Sequence, residues 1–204
     1  IRMELIDNTN KILRDDLSVE IKEGSKLSIA AACFSIYAFQ ELKNELKGID
    51  ELRFIFTSPT FVAEKTKKEK REFYIPRLNR ERSLYGTEFE VKLRNELTQK
   101  AIAKECAEWI KEKVKFKSNI SDKSIQGQMV VDDIGYTPIN NFTTVELGCE
   151  KGNVISTTIV KDQSLGQTLI RDFNEIWNDK KVLQEVTDEV IESITTAYNE
   201  NSPD

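Results

Sequence analysis

The chain has 204 residues, of which 32% are charged and 39% hydrophobic, with a net charge of −5. That is the balance of a soluble globular protein of one domain, long enough to bury a sizeable core, and it carries no global basic field announcing nucleic acid. There is no histidine, which excludes every mechanism that needs a His nucleophile, general base or metal ligand. Cys33, Cys106 and Cys149 are too widely spaced for a disulfide framework or a zinc site. They read as thiols of a reducing compartment, and a cytoplasmic location is expected. No run approaches the ~20 apolar residues of a membrane span. The charged stretch from Ile1 to Asp16 has no apolar core of a signal peptide.

Ile12 to Lys22 places Ile12, Leu13, Leu17 and Ile21 near helical spacing, with Gly24 as the expected left-handed cap. Lys26 to Phe34 is a short apolar run that predicts a buried strand. Ser35 then suits an N-cap. Ile36, Phe39, Leu42 and Leu46 mark one face of a helix that Gly48 stops. Leu52 to Thr57 predicts a second strand, broken by Ser58-Pro59. Strand, helix, strand in this order implies a parallel pair.

From Glu64 to Arg82 the composition changes. Within Lys65–Arg82, Lys65, Lys67, Lys68, Lys70, Arg71, Arg77, Arg80 and Arg82 stand against Glu69, Glu72 and Glu81, a local excess of five positive charges. Two readings are open: a solvated loop with a helical start, or a phosphate-contacting surface in which Phe73 or Tyr74 stacks on a base.

Leu93 to Val114 carries the strongest apolar stripe, through Leu97, Ala101, Ile102, Cys106, Trp109 and Ile110, and predicts a helix. Lys115–Lys117, Ser124–Val131 and Val154–Val160 read as strands. Leu165 to Trp177 predicts a second amphipathic helix, and a last helix is expected from about Lys181 to Tyr198. The stretch from Asp162 to Asp204 holds ten acidic and three basic residues, so it is not expected to face phosphate. Residues 1–180 are expected to form the domain. Residues 181–204 would add a C-terminal helix and the start of a linker at Asn199–Asp204.

The segment Ser124 to Gly148 contains Gln126-Gly127-Gln128 and, four residues on, Asp133. This is the spacing of the H-x-K-x4-D motif of phospholipase D-type phosphodiesterases, with Gln at the His and Lys positions. Two residues apart on a strand, Gln126 and Gln128 would share a face. Gln can donate hydrogen bonds to phosphate oxygens, but it can be neither the nucleophile nor the positive charge. Asn140-Asn141-Phe142-Thr143 is similar to the family's G-S-x-N-F-T segment, with Asn141 at the matching asparagine. Pro138-Ile139-Asn140 departs from its Gly-Ser part. Phe173–Asp179 resembles the helix that closes such domains.

The resemblance extends further. GTEFEVKLRNELTQKAIAKECAEWIKEKVKFKS (Gly86 to Ser118), VDDIGYTPINNFTTVELGCEKGN (Val131 to Asn153), FNEIWND and AYNENSP resemble the amino-terminal phospholipase D-like module of large bacterial superfamily 2 helicases. Those proteins are related to Swi/Snf remodelling ATPases and are often carried on mobile genetic elements. The resemblance implies an α/β fold with a mixed sheet flanked by helices and a helical C-terminal extension. It also implies a vestigial phosphodiesterase site at Gln126, Gln128, Asp133 and Asn141, with no catalytic residue. The expected partners are nucleic acid, most simply DNA, and the parent's own helicase motor. The chain has no G-x-x-x-x-G-K-[ST] loop, so ATP and Mg²⁺ belong to the motor and no cofactor is expected here. Two alternatives stand beside this: a homodimerisation or protein-interaction module, since single-motif members pair across a two-fold axis, and a nuclease using a metal held by Asp132, Asp133 and Glu146.

Overall fold

A computed structural model of the protein describes residues 3–58, 88–151 and 156–200, with the side chains of 88–99 and 197–200 excepted. Eight strands and six helices are described, and the strands form one open mixed sheet. In chain order they are β1 (Glu4–Ile6), α1 (Leu13–Glu20), β2 (Lys26–Ala31), α2 (Ile36–Glu41), α3 (Lys43–Leu46), β3 (Glu51–Phe56), α4 (Glu88–Lys113), β4 (Val114–Asn119), β5 (Gln128–Val131), β6 (Ile134–Thr137), β7 (Ile159–Asp162), α5 (Gln163–Trp177), β8 (Leu183–Glu185) and α6 (Thr187–Glu200). The spatial order is β1-β7-β6-β5-β2-β3-β4-β8.

The two apolar runs sit at the centre. β2 pairs parallel with β3, and β3 parallel with β4. Both faces of these strands are covered, which is why their sequences run apolar rather than alternating. Leu27, Ile29, Phe54, Phe56 and Phe116 point into the main core with Leu17, Phe39, Leu46, Cys106, Ile110 and Val190 from the helices. On the opposite face α5 packs, through a smaller cluster of Ala30, Ile55 and Phe173 joined by Leu183 of β8. The expected α/β class and parallel pair are found. Ser35 accepts from the Tyr37 backbone N–H as an N-cap, and Gly24 has φ +82°. Among the described residues no helix is long and apolar enough to cross a membrane.

Several expected elements are corrected. The helix through Ile36 and Leu46 is two helices, because Leu42 adopts φ −118°, ψ 17° and its N–H turns back to Phe39 O at 3.1 Å. The strand expected over Ser124–Val131 begins only at Gln128; of that expected over Val154–Val160, residues 154 and 155 lie outside the described residues, 156–158 are not strand, and β7 begins at Ile159. The helix expected from Lys181 opens instead as β8, paired antiparallel with β4. Val186 N–H donates to Phe116 O at 2.9 Å and Thr187 Oγ1 accepts from Phe116 N–H at 2.9 Å, so the edge of β4 captures the chain before α6 starts. Val186, Val190 and Ile194 lie in the main core.

β1, three residues long, is held by a buried polar network. Tyr136 Oη donates to Asp16 Oδ2 at 2.6 Å, and Lys161 Nζ lies 3.1 Å from both Asp16 Oδ1 and Glu20 Oε1. Lys11 Nζ bonds Glu4 at 2.6 Å and sits 3.3 Å from Asp16. The network ties α1 to β6, β7 and β1 through groups that each find a partner.

Cys106, Cys149, Tyr136 and Lys161 are among the groups that hold their protons more tightly than usual. Burial raises the Cys106 thiol, and burial followed by the charge of Glu41 pushes Cys149 up to about 12. Burial and then the Asp16 hydrogen bond raise Tyr136. For Lys161 burial works the other way, but hydrogen bonds from Asp16 and Glu20 outweigh it and the ammonium is raised. Above about pH 8.5, the ordinary thiol value, the unfolded chain therefore binds fewer protons than the folded one. Stability then falls as pH rises. Thermal melts are expected to hold steady near neutrality and to decline from about pH 8.5 through pH 10.5. A flat profile across that window would contradict this assignment.

Candidate functional site

The carboxyl ends of parallel strands are where open α/β sheets bind ligands, and here three loops converge on that rim. Ala32 N–H donates to Asn140 O at 2.8 Å, Phe142 N–H to Cys33 O at 2.9 Å, and Ser35 N–H to Phe142 O at 2.9 Å. The loop after β6 is thus laced to the end of β2. Ile139 N–H donates to Gly127 O at 3.1 Å, which draws the segment before β5 to the same place. A Cβ on Gly127 would stand 1.7 Å from Ile139 O, so only glycine permits this approach. On the other side Asn119 Nδ2 donates to Thr57 O at 2.8 Å, closing the rim over β3 and β4.

Two of the four residues expected to form a vestigial site lie here, in segments bonded through Ile139 and Gly127. Gln126 is exposed beside Gly127, and Asn141, in the loop bound to it, accepts from Cys33 Sγ at 3.2 Å. Gln128 does not share a strand face with Gln126 as expected. It is buried beneath α5, with Nε2 3.5 Å from Leu169 O, whereas Gln126 precedes the strand. Asp133 lies at the far end of the β5–β6 hairpin, where its Oδ2 accepts from Gln163 Nε2 at 2.6 Å. The four residues do not form one constellation. Lys65, Lys67, Lys68, Lys70, Arg71, Arg77, Arg80 and Arg82 lie outside the described residues.

The trio Asp132, Asp133 and Glu146 is also separated. Asp132, at φ 55° in the hairpin turn, accepts from Ser25 Oγ at 2.8 Å and Lys26 N–H at 2.9 Å. Glu146 sits at the rim instead and accepts from Asn140 N–H at 2.7 Å. Burial raises its carboxyl, against the opposing pull of the Asn140 and Asn141 amides. Among the described residues no group of three His, Cys, Asp or Glu side chains could hold a metal.

A second polar feature escaped the reading of the sequence. Arg53 stands alone among the apolar residues of β3, on the face that α5 covers. Its Nη2 donates to Ser28 Oγ at 3.0 Å, and its guanidinium lies 4.9 Å from the Phe173 ring centroid and 5.6 Å from that of Trp177. Lys117 Nζ, on β4, donates to Trp177 O at 2.8 Å and lies 4.4 Å from the Trp177 ring centroid. One arginine inside LRFIFT was the available signal.

The rim offers carboxamide and backbone groups that donate and accept hydrogen bonds. No protein-family model matches the chain, and no curated protein matches it.

Proposed function

We propose that this domain is a catalytically inactive phospholipase D-like module of a bacterial superfamily 2 helicase, and that it binds or positions DNA for that motor. One observation carries the reading: Gln126 and Asn141, the positions that match the family's nucleophile and asparagine, sit in loops bonded to each other at the carboxyl ends of β2 and β3. A carboxamide at the nucleophile position, in a chain with no histidine, supports binding without phosphodiester cleavage. The local positive charge of Lys65–Arg82 in the sequence supports phosphate contact.

Fluorescence anisotropy with labelled single- and double-stranded oligonucleotides tests this. Binding is expected at low ionic strength and should weaken linearly in log–log form as salt rises. A domain that stays folded yet binds neither form at the lowest salt sinks the reading.

A further inference from the structure

The half-buried cations of the second sheet face pose a problem that the rim does not. Arg53 and Lys117 are both partly sheltered, on neighbouring strands, and both lean on Trp177. Neither forms an ion pair with any described residue, and Arg53 Nε is buried with no hydrogen-bond partner. A sheltered charge is costly unless an opposite charge accompanies it. Two of the same sign around one indole compound that cost. Aromatic faces offset only part of it.

The acids nearby supply only part of the counter-charge. Glu51, two residues before Arg53 on β3, is exposed, and its charge opposes but does not outweigh the effect of burial on the Arg53 guanidinium. Glu185 lies opposite Lys117 across the β4–β8 pair, but its Oε1 is taken by Thr187 Oγ1 at 3.3 Å and lies 3.8 Å from Lys115 Nζ. Lys115 pairs directly with Arg53 in the sheet and is 69% exposed. Strand spacing puts Arg53, Lys115 and Lys117 within about 5–8 Å of one another on one face. α5 docks by Gly166 against the β5–β6 hairpin and reaches β4 only at its Trp177 end, which leaves Lys115 open to solvent.

We propose that Arg53, Lys115 and Lys117 form a phosphate-binding site for a single nucleic-acid strand, on the sheet face that α5 half covers and away from the Gln126–Asn141 rim. A phosphate presents several acceptor oxygens around one centre. It can accept from a guanidinium and two ammonium groups together, which a two-oxygen carboxylate does less well. The site rests on the nucleic-acid reading above and adds to it a surface made of described residues.

The test uses the whole chain and a fluorescein-labelled oligo(dT), with the wild type, Arg53→Gln/Lys117→Gln, the exposed single change Lys115→Gln, and the conservative Arg53→Lys/Lys117→Arg. The glutamine pair should bind about tenfold more weakly, and its salt slope should shrink by about 1.4, the loss of two single-strand phosphate contacts. Lys115→Gln should shrink the slope by about 0.7, and it decides the matter alone if the glutamine pair fails to fold by circular dichroism. The conservative pair should retain binding. Wild-type binding with unchanged affinity and slope in the glutamine variants overturns this site while leaving the nucleic-acid reading intact. No wild-type binding overturns both. Competition by polyglutamate as strong as by unlabelled oligo(dT) overturns the nucleic-acid assignment of the site in favour of an acidic peptide.

Discussion

Gly166→Ala is expected to destabilise the domain by about 3 kcal/mol, the upper part of the range for overpacking. The sign is the informative part. Inside an exposed helix the same change stabilises by about 1 kcal/mol, because alanine is the better helix former. Gly166 is in α5, but a Cβ there would stand 2.0 Å from Asp133 O and 2.5 Å from Asp133 C. Both are backbone atoms of the hairpin turn and cannot swing away as a side-chain tip can. Gly135 on β6 mirrors the arrangement, with a Cβ 2.9 Å from Gly166 N. The two glycines let helix and sheet touch backbone to backbone. α5 would have to lift, and Phe173 would lose its place in the smaller cluster. Urea titration reads the change as a lower midpoint, with Gln167→Ala, exposed on the same helix, as the control. A Gly166→Ala variant as stable as that control would refute the close docking of α5.

Asp16→Ala is expected to cost about 3 kcal/mol, at the lower end of the range for removing one partner of a buried charged group. Asp16 is only 7% exposed and accepts from Tyr136 and Lys161. Removing it leaves the Tyr136 hydroxyl buried without an acceptor. Lys161 keeps Glu20 at 3.1 Å and Glu4 at 3.6 Å, which places the cost low in the range. Tyr136→Phe removes only the donor and should cost about 1–1.5 kcal/mol. In a double-mutant cycle the Asp16 and Tyr136 changes should couple by about 1 kcal/mol. Independent, additive effects would mean the 2.6 Å contact does not operate in solution.

What could be read from residues alone was what local physics decides. β2 and β3 announced themselves because strands covered on both faces must be apolar throughout. α4 and α5 did so through stripes at helical spacing. Ser35 and Gly24 were legible because capping needs one hydroxyl or one left-handed residue. β8 was not, because Leu183, Val186, Val190 and Ile194 fit a helical period; only the free edge of β4 makes Leu183–Glu185 a strand. The same limit applies to the site. That the segments of Gln126 and Asn141 are bonded to each other follows from a hairpin whose two outer ends meet. The loss of a shared face for Gln126 and Gln128 follows from Gly127, which admits Ile139 against the backbone and ends the strand early. The Asp16–Tyr136–Lys161 network and the Arg53–Lys117–Trp177 arrangement join residues far apart in the chain, and both depend on the strand order, which no local pattern encodes.

That order also sets how the domain can be made. β2 and β3 lie close in sequence and can pair as soon as both have left the ribosome. β1 cannot follow them: among the described strands its one neighbour is β7, in a register that sets Glu4 against Lys161. At the other edge β4 waits for β8. Synthesis therefore builds the sheet from the middle outwards, and both rims close late, through contacts of long sequence separation that form slowly. Until then β1, with Leu5 and Ile6, has no sheet to join, and an unpaired apolar strand is an aggregation hazard. Of the described strands, the one synthesised first is among the last to find its seat.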